Sequence, residues 1–452
     1  MFVRGIKYIV MACCLQSLLF SSLSIADNSN LSDSRKQPLL ASLGSSSVQA
    51  WTQQLKITDR IKSLNNRISD FPDDYEAALL KSLIYFRAGY FEQAQKELDK
   101  LIAQVPDFHL AHLIRGDMLM SRVKQVGDIG ENALLKNLDK TDQLAALREE
   151  ARVRLTGAQL QTAQVFLPRQ ILRLGQSVER AVLVEKSTHR LYVYERKKED
   201  NSPYLMRDFY VSTGKKEGNK HTGGDLRTPE GVYFVTSWIP EDKLPDKYGI
   251  GAFPVNYPNE LDKRLGKTGY GIWLHGTPSN SYSRPPLDSE GCMVLTNEDF
   301  HVLEKEIKPG VTPVIIVEKV DWLDKQSWLA ERDRVMDALE QWRQDWESMD
   351  TERYLSHYSD NFWSSDHDFK SWSKRKKTIS KSKSFQKVVL SDVSLLAYPE
   401  FSQGNESTDK AKDIIVARFV QDYKSNNYNS EMQKRLYLQR KSDKWQIMYE
   451  GH

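Results

Sequence analysis

The segment YGIWLHGTPSNSYSRPPLDSEGCMVLTN, residues 270–297, brings one histidine and one cysteine next to short apolar runs and several glycines. His275 follows Ile-Trp-Leu and precedes a glycine, which predicts a buried strand that ends in a turn. Cys292 follows a glycine and precedes Met-Val-Leu, which predicts a turn and then a second buried strand. A thiol is nucleophilic as the thiolate, and a nearby imidazole commonly accepts its proton or holds the ion pair. The segment therefore predicts a cysteine–histidine ion pair at two neighbouring strand ends.

The order His-Gly, intervening loop, Ser-x-Gly-Cys and apolar residues resembles the catalytic segment of the YkuD-type L,D-transpeptidase family. The resemblance implies that Cys292 is the nucleophile and His275 the general base, with the backbone N–H groups around Gly291 and Cys292 as the oxyanion hole. Two positions depart from the common family pattern, because Glu290 replaces a second histidine and Val294 replaces an arginine or asparagine. The second departure leaves open how the substrate is held and whether the acyl group passes to a peptide or to water.

Further residues are candidates for binding substrate. Arg284 lies in a loop stiffened by two prolines, where its guanidinium could hold a carboxylate in a bidentate contact, with a solvated loop charge as the alternative. Glu290 is expected to bind the amino end of a diaminopimelate side chain or to point into solvent. Gly276 and Ser289 are expected to support the substrate site. Residues 253–259, rich in aromatic residues and proline, are expected as a wall or lid over the cleft or as a surface loop.

Other stretches precede the catalytic segment in the order found in the same family. Residues 181–194 form two β-rich runs around a polar turn, which predicts a hairpin. Residues 209–215 predict a strand that ends in a turn, and residues 223–234 predict a loop that leads into a strand. Pro313–Val317 predicts the last strand of the domain. The resemblance therefore covers roughly residues 178–320.

The chain of 452 residues is long enough for about three domains, each with its own hydrophobic core. Residues 1–26 combine a basic start, an apolar run and small residues near position 26, which predicts a signal peptide and a periplasmic protein. An uncleaved membrane tether is the alternative. Cleavage would remove Cys13 and Cys14 and leave Cys292 as the only thiol, which favours a reactive group over an inert one. The small net charge of +3 gives no indication of a nucleic-acid partner.

Residues 27–50 are polar without periodicity and predict a tether, whereas residues 51–175 predict a helical region. Phe71-Pro72-Asp73 and Val105-Pro106-Asp107 recur with the 34-residue period of tetratricopeptide repeats. The region resembles such TPR units, in which pairs of helices stack. It is expected to dock a protein partner or a second copy of the chain, or to serve as a helical spacer.

Residues 321–452 have a different pattern, a long amphipathic helix followed by strands. The helix is expected at Trp328–Met349, and Tyr354, Tyr358 and Phe362 continue its four-residue steps. Strands are expected at residues 387–396, 414–423, 435–440 and 445–449. This α+β order resembles the NTF2-like fold.

Two features of this C-terminal part have alternative interpretations. The aromatic stripe that includes Trp342 and Trp346 is expected as hydrophobic core or as a cage for a ligand. The basic run at residues 374–383 is expected as a solvated loop or as a contact to anionic cell-wall polymer.

The predicted parts are an α-helical TPR-like N-terminal region, a mostly-β YkuD-type catalytic domain at residues 176–320 and an α+β NTF2-like domain. This multidomain order resembles the cell-shape-determining L,D-carboxypeptidases. The resemblance implies a periplasmic enzyme without cofactor or metal, in which the cysteine attacks the L-centre carbonyl of meso-diaminopimelate in peptidoglycan stem tetrapeptides. Water as acceptor gives an L,D-carboxypeptidase, and an amine acceptor gives an L,D-transpeptidase.

Two other classes of function are alternatives. A wall-binding or scaffold protein could keep the fold without activity, although the chain retains both His275 and Cys292. A metal site would use these two residues with His221 or His301, but zinc ligands generally occur as closer pairs in sequence.

Overall fold

The computed structural model describes residues 57–121, 141–157, 166–399 and 413–451. The predicted signal peptide, residues 1–26, and the predicted tether, residues 27–50, lie outside the described residues. Within the described ranges, no helix has both the length and the apolar character needed to cross a membrane.

The described N-terminal part is helical, as the sequence predicts. Its helices are α1 (Ile57–Asp70), α2 (Tyr75–Arg87), α3 (Phe91–Gln104), α4 (His109–Met120) and α5 (Thr141–Gly157). Helix α2 begins after Asp74, whose carboxylate accepts the backbone N–H of Ala77 at 2.9 Å and satisfies a donor that the helix end leaves unpaired. Ala77, Ala94 and Ala111 are fully buried, because small side chains let helices approach closely.

The two turns of the predicted repeat share one backbone hydrogen-bond pattern. The N–H of Asp74 donates to the carbonyl of Phe71 at 3.0 Å, and the N–H of Phe108 donates to the carbonyl of Val105 at 3.2 Å. This shared geometry supports a repeated helix–turn–helix unit, and the assignment to TPR units stays a prediction. Residues 158–165, which the predicted stack includes, lie outside the described residues.

The end of the predicted helical region is extended rather than helical. Residues Leu167–Pro168 form strand β1 and Ile171–Arg173 form strand β2. Strand β1 pairs with residues 322–323, and β2 pairs with residues 395–396 of the C-terminal sheet. The prediction that helix continues to residue 175 is therefore wrong, because the apolar residues of this stretch are buried as strands.

The central part of the chain is mostly β, as predicted. Its strands are β3 (Arg180–Glu185), β4 (Arg190–Arg196), β5 (Pro203–Tyr210), β6 (Thr213–Gly214), β7 (Gly231–Phe234), β8 (Ile239–Pro240), β9 (Gly251–Pro254), β10 (Trp273–His275), β11 (Leu287–Ser289), β12 (Met293–Val294) and β13 (Pro313–Val317). Two short 3-10 helices, η1 (Glu241–Lys243) and η2 (Asp246–Tyr248), accompany helices α6 (Glu260–Arg264) and α7 (Asn297–Glu304). The predicted hairpin is confirmed by the pairing of β3 with β4.

These strands form two larger sheets and one short pair. The first sheet has the order β5-β4-β3-β13-β7, and β13 lies parallel to β3. The second sheet has the order β12-β10-β9-β8, and β11 pairs with β6. Isolated bridges between Ser212 and Val294 and between Val235 and Val255 connect neighbouring strands.

Strand β3 is buried on both faces of the first sheet, because successive side chains alternate between the faces. Val182 packs into a core that contains Leu274 of the second sheet. Leu183 packs on the opposite face, in a core that contains Leu396 and Tyr437 of the C-terminal domain. The first sheet therefore lies between the sheet that carries the histidine and the C-terminal domain.

The C-terminal part combines helices with a long-stranded sheet, as predicted for an NTF2-like fold. Its elements are β14 (Trp322–Leu323), α8 (Lys325–Glu347), α9 (Thr351–Leu355), β15 (Tyr358–Trp363), α10 (Phe369–Ser380), β16 (Gln386–Ala397), β17 (Ile414–Ser425), β18 (Asn429–Lys441) and β19 (Lys444–Gly451). The sheet order is β15-β19-β18-β17-β16-β2. Helix α8 buries Val335, Leu339 and Trp342 in a core shared with these strands.

The aromatic stripe of α8 has two environments. Trp342 is buried in the core, whereas Trp346 lines a cavity of about 370 Å³ together with Tyr354 and Trp372. The Nζ atom of Lys376 lies 4.3 Å from the centre of the Trp372 ring in the same cavity. The stripe therefore serves partly as core and partly as a cavity wall.

Two local predictions in this part are wrong. Tyr358 and Phe362 belong to strand β15 and not to a continued helix, because a four-residue spacing also keeps two side chains on one strand face. Residues 374–380 of the basic run belong to helix α10 and not to a loop. Trp372 anchors that helix in the core, Lys374 and Lys377 are exposed, and Lys376 lines the cavity beside Trp372.

Residues 253–259 form neither a lid nor a surface loop. Phe253 belongs to β9, which pairs with β10, and Phe253, Val255 and Tyr257 are all buried. Their period of two places these side chains on one face of an extended chain, toward the core. The alternation was missed in the sequence because the prolines at positions 254 and 258 argue against a strand.

Leu183→Ala should destabilise the protein, because the side chain is fully buried between the first sheet and the C-terminal domain. Such substitutions cost about 2–5 kcal/mol, so the midpoint of thermal unfolding should fall by several degrees. Circular dichroism during heating measures this change. Leu265→Ala, at an exposed leucine, is the matched control and should leave the midpoint nearly unchanged. Equal shifts for both variants would contradict the buried position of Leu183.

Candidate active site

Strands β10 and β12 bring His275 and Cys292 to one face of their sheet. The strands are parallel, with Leu274 in register with Met293 and His275 in register with Val294. Leu274 and Met293 both enter the hydrophobic core. Because side chains alternate between the two faces, Cys292, directly before Met293, projects to the same face as His275. The register therefore places thiol and imidazole on the face opposite the core.

The imidazole of His275 is oriented by the backbone next to it. Its Nδ1 atom lies 2.7 Å from the carbonyl oxygen of Gly276. A carbonyl oxygen only accepts hydrogen bonds, so Nδ1 carries the proton and Nε2 keeps its lone pair. The ring of Tyr248 packs edge-to-face against the imidazole with 5.0 Å between the ring centres. His275 is therefore held in the tautomer that a general base requires.

Gly276 supports the histidine through close packing. A Cβ atom at this position would lie 2.1 Å from Oδ1 of Asn297. That oxygen accepts the N–H of Thr277 at 3.1 Å, and Asn297 Nδ2 donates to the carbonyl of Thr277 at 2.9 Å. Gly276 is itself buried. The residue is a positioning residue, because glycine lets Asn297 hold the turn that directly follows His275.

Ser289 ties together the turn that carries the cysteine. Its hydroxyl donates to the carbonyl of Cys292 at 2.7 Å and accepts the N–H of Gly291 at 3.1 Å. Gly291 has a φ of 126°, and a Cβ there would lie 2.7 Å from the carbonyl oxygen of Arg227, so glycine is required. Because its N–H is engaged inside the turn, the prediction that Gly291 donates to an oxyanion needs correction. Of the two predicted backbone donors, the N–H of Cys292 remains.

The thiol of Cys292 is partly accessible and donates a hydrogen bond to the carbonyl of Gly271 at 3.3 Å. Burial raises the pKa of this thiol to about 11. The backbone N–H of Trp273 lowers the same pKa by donating a hydrogen bond to the sulfur, and the carboxylate of Glu290 raises it. The free protein therefore holds a protonated thiol at neutral pH.

The imidazole is also neutral at rest. Burial lowers the pKa of His275 to about 4, and the positive charges of Arg284 and Lys247 add to this decrease. The same two cations lower the pKa of Cys292, so their charges act on both groups. The predicted thiolate–imidazolium pair is thus absent at rest, because the low polarity around both groups penalises their charged forms.

Arg284 and Glu290 supply opposite charges at the site. Arg284 is half-buried, and its Nε atom lies 3.7 Å from Oδ2 of Asp288. Glu290 is exposed, and its charge acts on the thiol. A substrate that carries both a carboxylate and an ammonium group would match these two side chains.

Besides Asn297, three residues of the site were not found from the sequence. Tyr248 and Lys247 lie in η2, and Tyr248 packs against Trp273 with 4.8 Å between the ring centres. The Nζ atom of Lys247 lies 4.8 Å from the centre of the Tyr248 ring. Residues 246–248 show no periodicity, and Trp273 was interpreted only as part of a buried strand. The signal that could have revealed Trp273 is its position two residues before His275, on the same strand face.

Val294 offers no polar group to a substrate. Its side chain is buried, and its N–H and carbonyl both form 2.9 Å hydrogen bonds with the backbone of Ser212. This position therefore serves the sheet, and a polar side chain that grips substrate has to come from elsewhere in the site.

The histidines considered for a metal site have other partners. The imidazole of His301 pairs with Glu304 at 2.9 Å, and the loop of His221 is held by a backbone hydrogen bond from His221 N–H to Asp225 at 2.8 Å. In the part of the chain that the structure describes, no group of three or more His, Cys, Asp or Glu residues could hold a metal ion.

Comparison with protein families supports the fold around this site. Residues 179–316 match the L,D-transpeptidase catalytic domain (YkuD), and residues 334–451 match the Cds6 C-terminal NTF2-like domain. The chain belongs to the YkuD-type L,D-transpeptidase family, a family of enzymes that act on peptidoglycan, and it carries an additional NTF2-like domain.

Two solved structures resemble much of this chain. Bd1075 of Bdellovibrio bacteriovorus has 30% sequence identity and a TM-score of 0.55, and the match covers 63% of this chain and 97% of that chain. The helical cell shape determining protein Pgp2 from Campylobacter jejuni has 28% identity and a TM-score of 0.51, with 62% and 95% covered. Comparison with curated protein sequences gives no match.

The rate of alkylation of Cys292 by iodoacetamide should rise with pH, because the thiolate is the reactive form. The rate should reach half of its maximum at a midpoint of about pH 11. Arg284→Gln should shift the midpoint upward, since it removes a positive charge that lowers the thiol pKa. Mass spectrometry of the peptide that contains Cys292 measures the rate at each pH.

Arg264→Gln, at an exposed arginine outside the site, is the matched control and should keep the wild-type midpoint. A wild-type midpoint at or below the ordinary value of a free cysteine would contradict the neutral resting pair.

Proposed function

We propose that this protein is a periplasmic cysteine acyl-transfer enzyme that cleaves the stem tetrapeptides of peptidoglycan at the L-centre carbonyl of meso-diaminopimelate. The observation that carries the proposal is the common face of Cys292 and His275, with Nε2 of the histidine unprotonated. The predicted signal peptide supports export to the compartment that contains peptidoglycan.

The first half of the reaction forms a thioester. His275 Nε2 accepts the proton of the Cys292 thiol as the sulfur attacks the carbonyl carbon, and a C–S bond forms. The carbonyl electrons move to the oxygen and then return, which breaks the C–N bond to the terminal D-alanine. The imidazolium gives its proton to the departing amine. The base is already deprotonated at neutral pH, so Nε2 is free to accept the thiol proton.

The oxyanion of the tetrahedral intermediate needs hydrogen-bond donors. The backbone N–H of Cys292 is the first of these in the proposal, since the N–H of Gly291 is engaged by Ser289. Removal of one such donor typically costs about 3 kcal/mol of transition-state stabilisation. Ser289 therefore acts as a positioning residue that keeps the Cys292 backbone in place.

The charged residues of the site bind the two ends of the substrate. Arg284 holds the terminal D-alanine carboxylate, and its charge already acts on both catalytic groups. Glu290 binds the ammonium group on the diaminopimelate side chain. This division follows from charge complementarity, since the exposed carboxylate would repel the substrate carboxylate.

The second half of the reaction consumes the thioester. We propose water as the acceptor, which makes the protein an L,D-carboxypeptidase and gives a tripeptide product. His275 accepts a proton from the water as its oxygen attacks the thioester carbon, the C–S bond breaks, and the imidazolium returns the proton to the sulfur to regenerate the thiol. The apolar Val294 and the three-part chain support hydrolysis. An amine acceptor would give a transpeptidase with a cross-linked dimer.

The proposed reaction is tested with mature protein and the disaccharide tetrapeptide, with products identified by mass spectrometry. Wild type should release D-alanine and tripeptide. Cys292→Ser and His275→Ala should each reduce the rate by at least about a thousandfold, because both residues take part in bond making or proton transfer.

His301→Ala is the matched control, because this histidine is exposed and pairs with Glu304 on α7. It should keep the wild-type rate. A cross-linked dimer as product would show that the acceptor is an amine and that the reaction is transpeptidation, not hydrolysis. Equal rates for wild type and Cys292→Ser would refute the cysteine mechanism and favour a wall-binding scaffold.

A further inference from the structure

The loop that joins β10 to β11, residues 276–286, contacts the helical N-terminal region as well as the catalytic domain. We name it the Arg284 loop, after its candidate substrate-binding residue. It departs directly from His275 and returns to the strand that precedes Cys292. Its conformation therefore decides where the guanidinium of Arg284 stands relative to both catalytic groups.

Tyr282 anchors the loop in the core of the helical region. Its side chain is buried, and its ring lies 4.4 Å from the ring of Phe108 and 6.2 Å, edge-on, from the ring of Tyr75. The other buried members of this cluster lie between Leu79 and Ala151, all in the helical region. An aromatic side chain of the catalytic domain thus completes the core of the helices.

A polar contact next to Tyr282 reinforces this anchor. The hydroxyl of Ser283 donates to Glu150 of helix α5 at 2.7 Å, and Glu150 forms an ion pair with Arg154 at 2.9 Å. All three groups lie within the junction, and both charged residues are almost fully buried. A buried ion pair depends on well-made hydrogen bonds, so it favours one geometry of the loop.

The Glu150–Arg154 ion pair is also connected to Arg284 through Tyr210. The guanidinium of Arg154 stacks 3.8 Å from the centre of the Tyr210 ring, and the Tyr210 hydroxyl donates to the carbonyl of Arg284 at 2.8 Å. The hydroxyl of Ser212 also donates to the carbonyl of Pro285, at 2.6 Å. The backbone of the loop is therefore held directly by Tyr210 and Ser212 of the catalytic domain, and Arg154 of helix α5 packs against Tyr210 from the helical side.

We infer that the helical region positions the active site, by holding the Arg284 loop through Phe108, Tyr282 and the Glu150–Ser283 contact. This goes beyond a spacer or docking surface, and it rests on the proposed function for the identity of the substrate carboxylate. Both family models begin after the last described helix of this region, so the helical side of this contact lies outside them, whereas the Arg284 loop lies within the catalytic-domain match.

Tyr282→Ala tests the inference from the loop side, with Tyr282→Phe as the conservative variant that keeps the ring. The alanine variant should raise KM for the disaccharide tetrapeptide by about tenfold, as expected when a charge-assisted contact is lost, and change kcat much less. The alkylation midpoint of Cys292 should also move upward, as in Arg284→Gln. Tyr282→Phe should restore wild-type behaviour in both measurements.

Phe108→Leu tests the inference from the helical side, and it removes the ring that faces Tyr282 without leaving a large cavity. It should shift KM and the alkylation midpoint in the same directions, by a smaller factor. Phe91→Leu, at an exposed phenylalanine of the same region, is the matched control and should change neither. If Tyr282→Ala does not fold, the comparison of Phe108→Leu with Phe91→Leu tests the inference.

The alkylation measurement needs no substrate, so it separates this inference from the proposed function. If the alkylation midpoint of Cys292 shifts in the variants but the wild type does not cleave the tetrapeptide, the positioning role stands and the proposed reaction is overturned. Folded Tyr282→Ala and Phe108→Leu proteins with wild-type KM and wild-type alkylation midpoint would overturn the positioning role.

Discussion

The parallel register of β10 and β12 is the constraint on which the site depends. A shift of one residue would turn Cys292 into the core and bring Met293 to the surface, because side chains alternate along a strand. Two glycines hold this register by close approach, Gly276 against Asn297 and Gly291 against the backbone of Arg227. The positions of Cys292 and His275 are therefore determined by backbone packing as much as by the two side chains themselves.

Charge and polarity are divided between the centre of the site and its edge. Burial keeps both the thiol and the imidazole neutral, while Arg284, Lys247 and Glu290 carry charge around them. A neutral centre has no strong field of its own, so its protonation responds to the charges placed beside it. In the proposed reaction, a charged substrate would add to the electrostatic environment that sets the protonation of Cys292.

Much of the fold follows from local pattern, as in residues 181–194, where β-rich runs flank a polar turn and form the hairpin. The change from helix to strand after α9 does not, because Tyr358 and Phe362 fit a helical stripe and a strand face equally well. At the site, the motif predicts the roles of Cys292 and His275, and these roles stay predictions. The roles of Tyr248 and Asn297 arise from contacts between segments distant in sequence, and local periodicity does not record such contacts.

Strand β3 has no face in solvent, since one face packs on the second sheet and the other on the C-terminal domain. The catalytic domain therefore depends on the C-terminal domain to cover one face of its first sheet. Recombination that joined it to a foreign neighbour would leave Leu183 and Tyr192 against a mismatched surface or in water. We therefore expect the two domains to be inherited together. Substitutions at the interface between them should occur in compensating pairs.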